Sequence, residues 1–214
     1  MVNSIVTSAF NSSLNKVWEL AKADTFEHLI LMSKSSGRIL SEATGDQDKV
    51  NLPDIEFDTK DALVVHSHPL VETGVSLGDI LTSLGGQYPV YAITPSKSVT
   101  WVDGTRTRAT SLLGPDLFEM MMASLLEATH QAFIKRLGWP NDNLLMAQSG
   151  VDMDHYGIVT HFATLAANNH GLINYRFYFT PSVEARMDAA GKVLNAPPSR
   201  SLAGWRDAPQ VEAA

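Results

Sequence analysis

The chain has 214 residues, 44% of them hydrophobic and 18% charged, and a formal net charge of −7. That length accommodates one sizeable domain with an extension, or two small ones. An acidic balance without a dense Lys/Arg cluster argues against nucleic acid as a partner. The absence of cysteine excludes disulfides, thiolate metal sites and a cysteine nucleophile, so any metal must be held by His, Asp or Glu.

The N-terminal segment MVNSIVTSAFNSSLNK lacks the basic-then-apolar pattern of a secretory signal. No apolar run is long enough to span a bilayer. The expected location is cytoplasmic, without a membrane partner; export by a signal-less route stays open. Residues Asn11 to Ala23 read as a helix capped by Asn11 or Ser12, with Leu14, Val17, Trp18 and Ala21 on one face. FEHLILMS reads as a buried strand, SKSSGR as a turn and RILSE as the second strand of a hairpin. Residues Ala43 to Lys60 read as loop, with a short strand near Ile55 to Phe57.

DALVVHSH is an apolar strand that ends on two histidines. Ser76 opens a helix to about Leu84, stopped by Gly85 and Gly86. PVYAIT and VTWVDG are strands separated by a turn, and Gly114, Pro115 and Asp116 open a long helix to about Leu137. Further on, a helix from about Asp154 to Asn169 with Gly171 as its stop, a strand INYRFYF and a helix from Ser182 to Leu194 are expected. The tail from Asn195 is rich in Pro, Ala and Ser and reads as loose. Mixed helices and strands with early hairpins give an α/β (α+β) class, a mixed sheet flanked by helices.

The chemistry concentrates in VVHSHPLVETGVSLGD, residues 64–79. Positions i and i+2 on a strand share a face, so His66 and His68 present two imidazoles side by side at the strand's C-terminal mouth. Asp79, in the first turn of the next helix, can supply a third ligand if that helix folds back. Two histidines, one carboxylate and an open position make a catalytic zinc arrangement. There is also a plainer reading. Ser76 and Asp79 have the spacing of a capping box, which needs no metal, and taken alone the pair divides evenly between cap and site.

The whole string matches H-x-H-x7-S-x2-D with Pro after the second His. It resembles the signature of the JAMM (MPN-type, JAB-domain) metallopeptidases. That pattern also places a glutamate where a helix meets a strand, and LNKVWELAKADTFEHLILMS supplies Glu27 there. The resemblance covers about residues 10–110. It implies a cytidine-deaminase-like JAMM/MPN architecture over residues 1–138, with residues 139–214 as a mainly helical C-terminal extension. It implies zinc on His66, His68 and Asp79. Glu27 would take a proton from the zinc-bound water and give it to the leaving amine, and Ser76 would hydrogen-bond the oxyanion. Glu42 and Glu72 remain rivals to Glu27. The implied activity is hydrolysis of an amide or isopeptide bond at the C-terminus of a ubiquitin-like modifier or its conjugate. A bacterial toxin or defence hydrolase with another target, a zinc-binding regulatory domain and a non-catalytic scaffold are the alternatives. The extension is a candidate surface for substrate, an oligomer or a complex.

The remaining candidates are weaker. His155 and His161 are not at the i, i+4 spacing of two ligands on one helix face, although Asp152 and Asp154 lie near. His130 reads as a partly buried polar position, and Met120 to Met122 as packing that can also serve partners. His28 should point away from Glu27. Asp61 reads as a strand-edge residue. INYRFYF reads as an internal strand, with pairing to a partner chain as the less favoured option.

Overall fold

The structure is a computed structural model that describes residues 4–47, 49–70, 74–104, 114–138 and 153–194. Its elements in chain order are α1 (Ser4–Asp24), β1 (His28–Ser33), β2 (Ile39–Thr44), β3 (Ala62–Ser67), α2 (Leu77–Gly86), β4 (Pro89–Ile93), β5 (Val99–Asp103), α3 (Pro115–Leu137), α4 (Met153–Asn169), β6 (Asn174–Tyr178) and α5 (Pro181–Leu194). The six strands form one mixed sheet in the order β2-β1-β3-β4-β5-β6. Only β3 and β4 run parallel, because α2 carries the chain back between them. The other neighbours are antiparallel.

Strand alternation divides the core in two. Ile30, Met32, Leu63 and Val65 pack against Phe10, Leu14 and Val17 of α1. Leu29, Leu31, Val64, Val90 and Val102 join Ile80 of α2 and the apolar faces of α3, α4 and α5 on the other side. The sheet is thus covered by helices on both faces, as an α/β layer architecture requires. The expected extension is continuous with the rest. Residues of β6 pair with β5, and Tyr156, Phe162, Tyr175 and Met187 are buried in the same core cluster as Leu29 and Val64.

Three local expectations need correction. The first helix begins by Ser4, so Asn11 and Ser12 are helix interior, not caps. Phe10, Leu14, Val17 and Ala21 are all buried along one face, and that burial overrides the modest propensity of the Asn and Ser residues between them. The second helix does not stop at its glycines. Both lie inside it, and Gln87 takes the left-handed cap with φ 55°. Gly86 is there for space, since a Cβ would fall 2.0 Å from the Tyr88 ring. No strand forms around Ile55 to Phe57; Ile55 is 40% exposed and has no sheet neighbour to pair with. The segment runs instead into a single 3₁₀ turn at Thr59–Asp61. No helix among the described residues is long and apolar enough to cross a membrane.

A candidate metal centre at the mouth of the third strand

Register brings the candidate residues together. In the β1–β3 ladder Leu29 lies opposite His66, and continuing that register two residues outward brings Glu27 opposite His68. The backbone of Glu27 is held on its other side by the hairpin: its N–H donates to the Asp46 carbonyl at 2.7 Å, and its carbonyl accepts from Gly45 at 2.9 Å. The His68 N–H donates to the Ile93 carbonyl at 2.9 Å, extending the β3–β4 ladder past the strand end. His66 and His68 share the α2 face with Val64, as alternation demands. Their ring centroids are 4.6 Å apart.

Asp79 arrives from α2. Ser76 caps that helix: its hydroxyl accepts from the Asp79 N–H at 3.1 Å, and its own N–H donates to Asp79 Oδ2 at 2.7 Å. The Ser76 hydroxyl also contacts Asp79 Oδ2 at 2.9 Å as donor. This is a complete capping box. Ser83, buried further along α2, fastens the helix to the sheet by donating to the carbonyls of Tyr88 and Val102 and accepting from the Gly104 N–H. The helix start is therefore rigidly placed, and Asp79 with it.

The donors converge. Asp79 Oδ1 lies 3.0 Å from His66 Nε2, and Asp79 Oδ2 lies 3.2 Å from His68 Nε2. The two Nε2 atoms are 2.8 Å apart. Glu27 Oε1 is 3.9 Å from His68 Nε2. His66, His68 and Glu27 are 2%, 6% and 7% exposed, so little bulk water reaches their polar atoms. The buried Glu27–His66–His68 group, with ligand atoms all within 4.8 Å of one another, could hold a metal ion, and Asp79 reaches the same point. Distances separate the two carboxylates. A small divalent ion with N and O bonds of about 2.1 Å spaces tetrahedral ligands about 3.4 Å apart. Asp79 comes near that spacing to each histidine, through Oδ1 to His66 and Oδ2 to His68, whereas Glu27 Oε1 stands further out, 3.9 Å from His68.

Electrostatics agree with a site built for a cation. Burial alone would push the His68 imidazole down; the charge of Asp79, its hydrogen bond and the charge of Glu27 outweigh that and raise it to about 9. Burial likewise works to raise Asp79, but the two imidazoles hold it well below the usual carboxylate range. The partners of Asp79 are those imidazoles and Ser76, so the positive charge it needs comes from protons on the histidines or from an ion. The backbone of Gly74 adds a smaller push in the same upward direction on His68. The buried Nδ1 of His66 finds no hydrogen-bond partner among the described residues.

A cavity of about 420 Å³ opens over the cluster. Lys49, Val50 and Leu52 form one wall, Gly78 and Thr82 of α2 another, and Tyr156 of α4 contributes from the extension. Glu27, His66, His68, Ser76 and Asp79 all line it, so the structure gathers the five sequence-chosen residues around one space.

It separates the others. Glu42 lies on β2, where both its oxygens take the Lys16 ammonium at 2.6 Å on the exposed surface, which removes it as a rival base. Glu72 and Asp152 fall outside the described residues. His28 turns to Asp24, 2.9 Å away, and Thr44. Asp61 does more than end a strand, because it accepts from the hydroxyls of Ser33 and Ser35 and from the Ser35 N–H. His161 forms no metal pair with His155 among the described residues. It is packed among Phe162, Tyr175, Phe177 and Phe179, bonded to the Tyr175 hydroxyl at 2.9 Å, and pushed down to about 3 by burial. His130 is buried on α3. Met122 is fully buried while Met120 is 66% exposed. The β6 strand inside INYRFYF pairs with β5 and forms the sheet's edge.

Two contributors carried no motif. Gly74, at φ +73°, holds a backbone conformation that favours glycine, and its backbone adds to the upward push on His68. A Cβ there would also stand 3.3 Å from both Thr100 Cγ2 and the Tyr175 hydroxyl. Its signal was only a glycine in a polar loop. Tyr156 comes from a segment whose sequence offers no pattern pointing to the site. Compared with protein-family models, curated proteins and solved structures, the chain matches none.

Proposed function

We propose that this chain is a zinc metallopeptidase of the JAMM type that hydrolyses an amide bond at the C-terminus of a ubiquitin-like modifier or its conjugate. The observation that carries the reading is the meeting of His66, His68 and Asp79 at ligand spacing, with Glu27 one step further out. The helix-covered mixed sheet is the architecture that the JAMM resemblance implies, and the cytoplasm is the expected place of action. A scaffold has no need of a full donor set plus a buried acid, which counts against that alternative. A toxin or defence hydrolase would share the chemistry and differ in its target.

His66, His68 and Asp79 would hold the zinc; when bound, the ion supplies Lewis acidity and makes a water acidic enough to act near neutral pH. Glu27, its Oε1 3.9 Å from His68 Nε2, would stand close enough to the centre to take a proton from a nucleophilic water held there. The same carboxyl group then returns the proton to the leaving amine. Ser76 lines the cavity; its hydroxyl proton, held by Asp79 Oδ2 at 2.9 Å, would have to turn from that carboxylate to hydrogen-bond the developing oxyanion. The cavity's apolar residues Val50, Leu52 and Val75 give an extended chain end a dry wall.

The test is a panel of ubiquitin-like proteins fused through their C-termini to a reporter. Zinc-loaded protein is expected to release the reporter from at least one, and a chelator to stop the release. A zinc-loaded protein that cleaves none of the fusions rejects this substrate class.

Metal-free protein has its own pH signature. His68 is held at about 9, above the ordinary histidine value of 6.5. Its stabilising contribution is therefore complete below pH 6.5 and lost as pH rises through 9. Urea denaturation of chelator-treated protein is expected to show roughly 2–3 kcal/mol less stability at the alkaline end of that window. His68→Gln should flatten the slope. So should saturating zinc, which replaces the proton. An unchanged slope in His68→Gln would assign the loss to another group.

A further inference from the structure

The metal centre has a second neighbour besides its main cavity. On the α1 side a separate pocket of about 340 Å³ is lined by Trp18, Lys22 and Thr25 of the α1 end, by His68 and Pro69, and by Thr94 in the β4–β5 turn. His68 and Pro69 line both spaces, so the two meet at a metal ligand. The Trp18 indole is fixed across this pocket by donating to the Pro95 carbonyl at 3.0 Å. Two ammonium groups stand over its ring: Lys97 Nζ at 4.1 Å and Lys22 Nζ at 4.9 Å from the centroid. Lys97 occupies a left-handed position, φ 64°, at the tip of the β4–β5 turn, where Gly or Asn would be the easier choice. Neither lysine forms an ion pair with any carboxylate among the described residues. In a chain with a net charge of −7, two cations gather over one indole, and Lys22 and Trp18 line the pocket that His68 also lines.

We propose that this pocket is the leaving-group subsite, and that Lys22 and Lys97 select a leaving amine whose flanking residues carry carboxylates. The inference rests on the metallopeptidase reading and adds its direction. Glu27, which must return the proton to the departing nitrogen, lines the main cavity; the chain that follows that nitrogen reaches the α1-side pocket past His68 and Pro69, which line both spaces. The main cavity, with its apolar wall, then takes the acyl side. Cations held over an indole keep their charge and lose little water, and they remain available to an incoming carboxylate. Asp24 stands at the same helix end but is engaged by His28, which weakens its competition.

The probes are two peptides carrying a diglycine isopeptide on a central lysine, identical except that one has glutamates and the other lysines flanking it. Binding is measured by fluorescence anisotropy on zinc-loaded Glu27→Gln protein, which is expected to hold them uncleaved. The glutamate probe is expected to bind about tenfold more tightly. In the added double substitution Lys22→Gln/Lys97→Asn the preference should fall below about twofold, with zinc content unchanged. Asparagine suits the left-handed position, so the turn is preserved. Equal binding of the two probes, binding of neither, or a preference that survives the double substitution overturns the subsite. A charge-dependent preference that the double substitution removes, in a protein whose wild type cleaves neither probe, keeps a carboxylate-selecting pocket but rejects the isopeptidase reading and with it the leaving-group role.

Discussion

His68→Ala is expected to abolish stoichiometric zinc binding while the protein stays folded. The imidazole is central to the cluster: its Nε2 contacts His66 at 2.8 Å, Asp79 at 3.2 Å and Glu27 at 3.9 Å. Structural zinc sites are worth about 10–16 kcal/mol over four ligands, so losing one ligand is expected to weaken affinity about a thousandfold, or about 4 kcal/mol. Breaking a buried charge pair ordinarily costs about 3–5 kcal/mol. Less is expected here, because Asp79 keeps His66, the Ser76 N–H and the Ser76 hydroxyl. The strand end stays in place through the His68 N–H bond to Ile93, which alanine retains. Metal analysis after gel filtration, with circular dichroism as the fold control, reads the result. A folded variant that still carries one tightly held zinc per chain would show that the donors lie elsewhere and would remove the basis for the enzyme reading.

Much of this site could be read from the sequence because its parts are local. Two histidines two apart on an apolar run must share a strand face, and a proline after them must end the strand. Serine and aspartate three apart at a helix start form a cap, and the cap holds in the structure with both reciprocal bonds. The cap and the candidate ligand are one feature: the geometry that satisfies the helix end also points Asp79 at the histidines. Glu27 was readable only through its place between a helix and a strand, since the sequence says nothing of the register that brings it opposite His68. What escaped depends on contacts distant in sequence. The helix reaches back to Ser4 because Phe10 has a place to bury, and the second helix runs through Gly85 and Gly86 because Tyr88 lies against the latter. The extension looked separable because residues 139–152 carry no clear period. Yet β6 completes the sheet and Tyr156 lines the cavity, a dependence no motif could announce.

Glu27→Gln is expected to keep zinc and lose turnover, and the two measurements together decide between base and ligand. A ligand role is open in principle, because Glu27 belongs to the buried group that could hold an ion. Distance argues otherwise. Glu27 Oε1 stands 3.9 Å from His68 Nε2, while Asp79 reaches both imidazoles at 3.0 and 3.2 Å. Glutamine has nearly the same shape and still hydrogen-bonds, but it does not accept a proton near neutral pH. Zinc affinity is thus expected to stay within about threefold of wild type. Turnover on a cleavable fusion should fall by about 10²–10⁴, the usual weight of general acid–base catalysis, with KM little changed. Asp79→Asn provides the contrast, since it should lose zinc affinity by about a hundredfold or more even though the Ser76 cap can re-form around an amide. If Glu27→Gln sheds its zinc and Asp79→Asn does not, the two carboxylates exchange roles. Asp79 would then be the residue left to handle the proton, held low by two imidazoles and poorly suited to giving a proton to a leaving amine. That chemical mismatch is a second reason, independent of distance, to place the ligand at Asp79 and the base at Glu27.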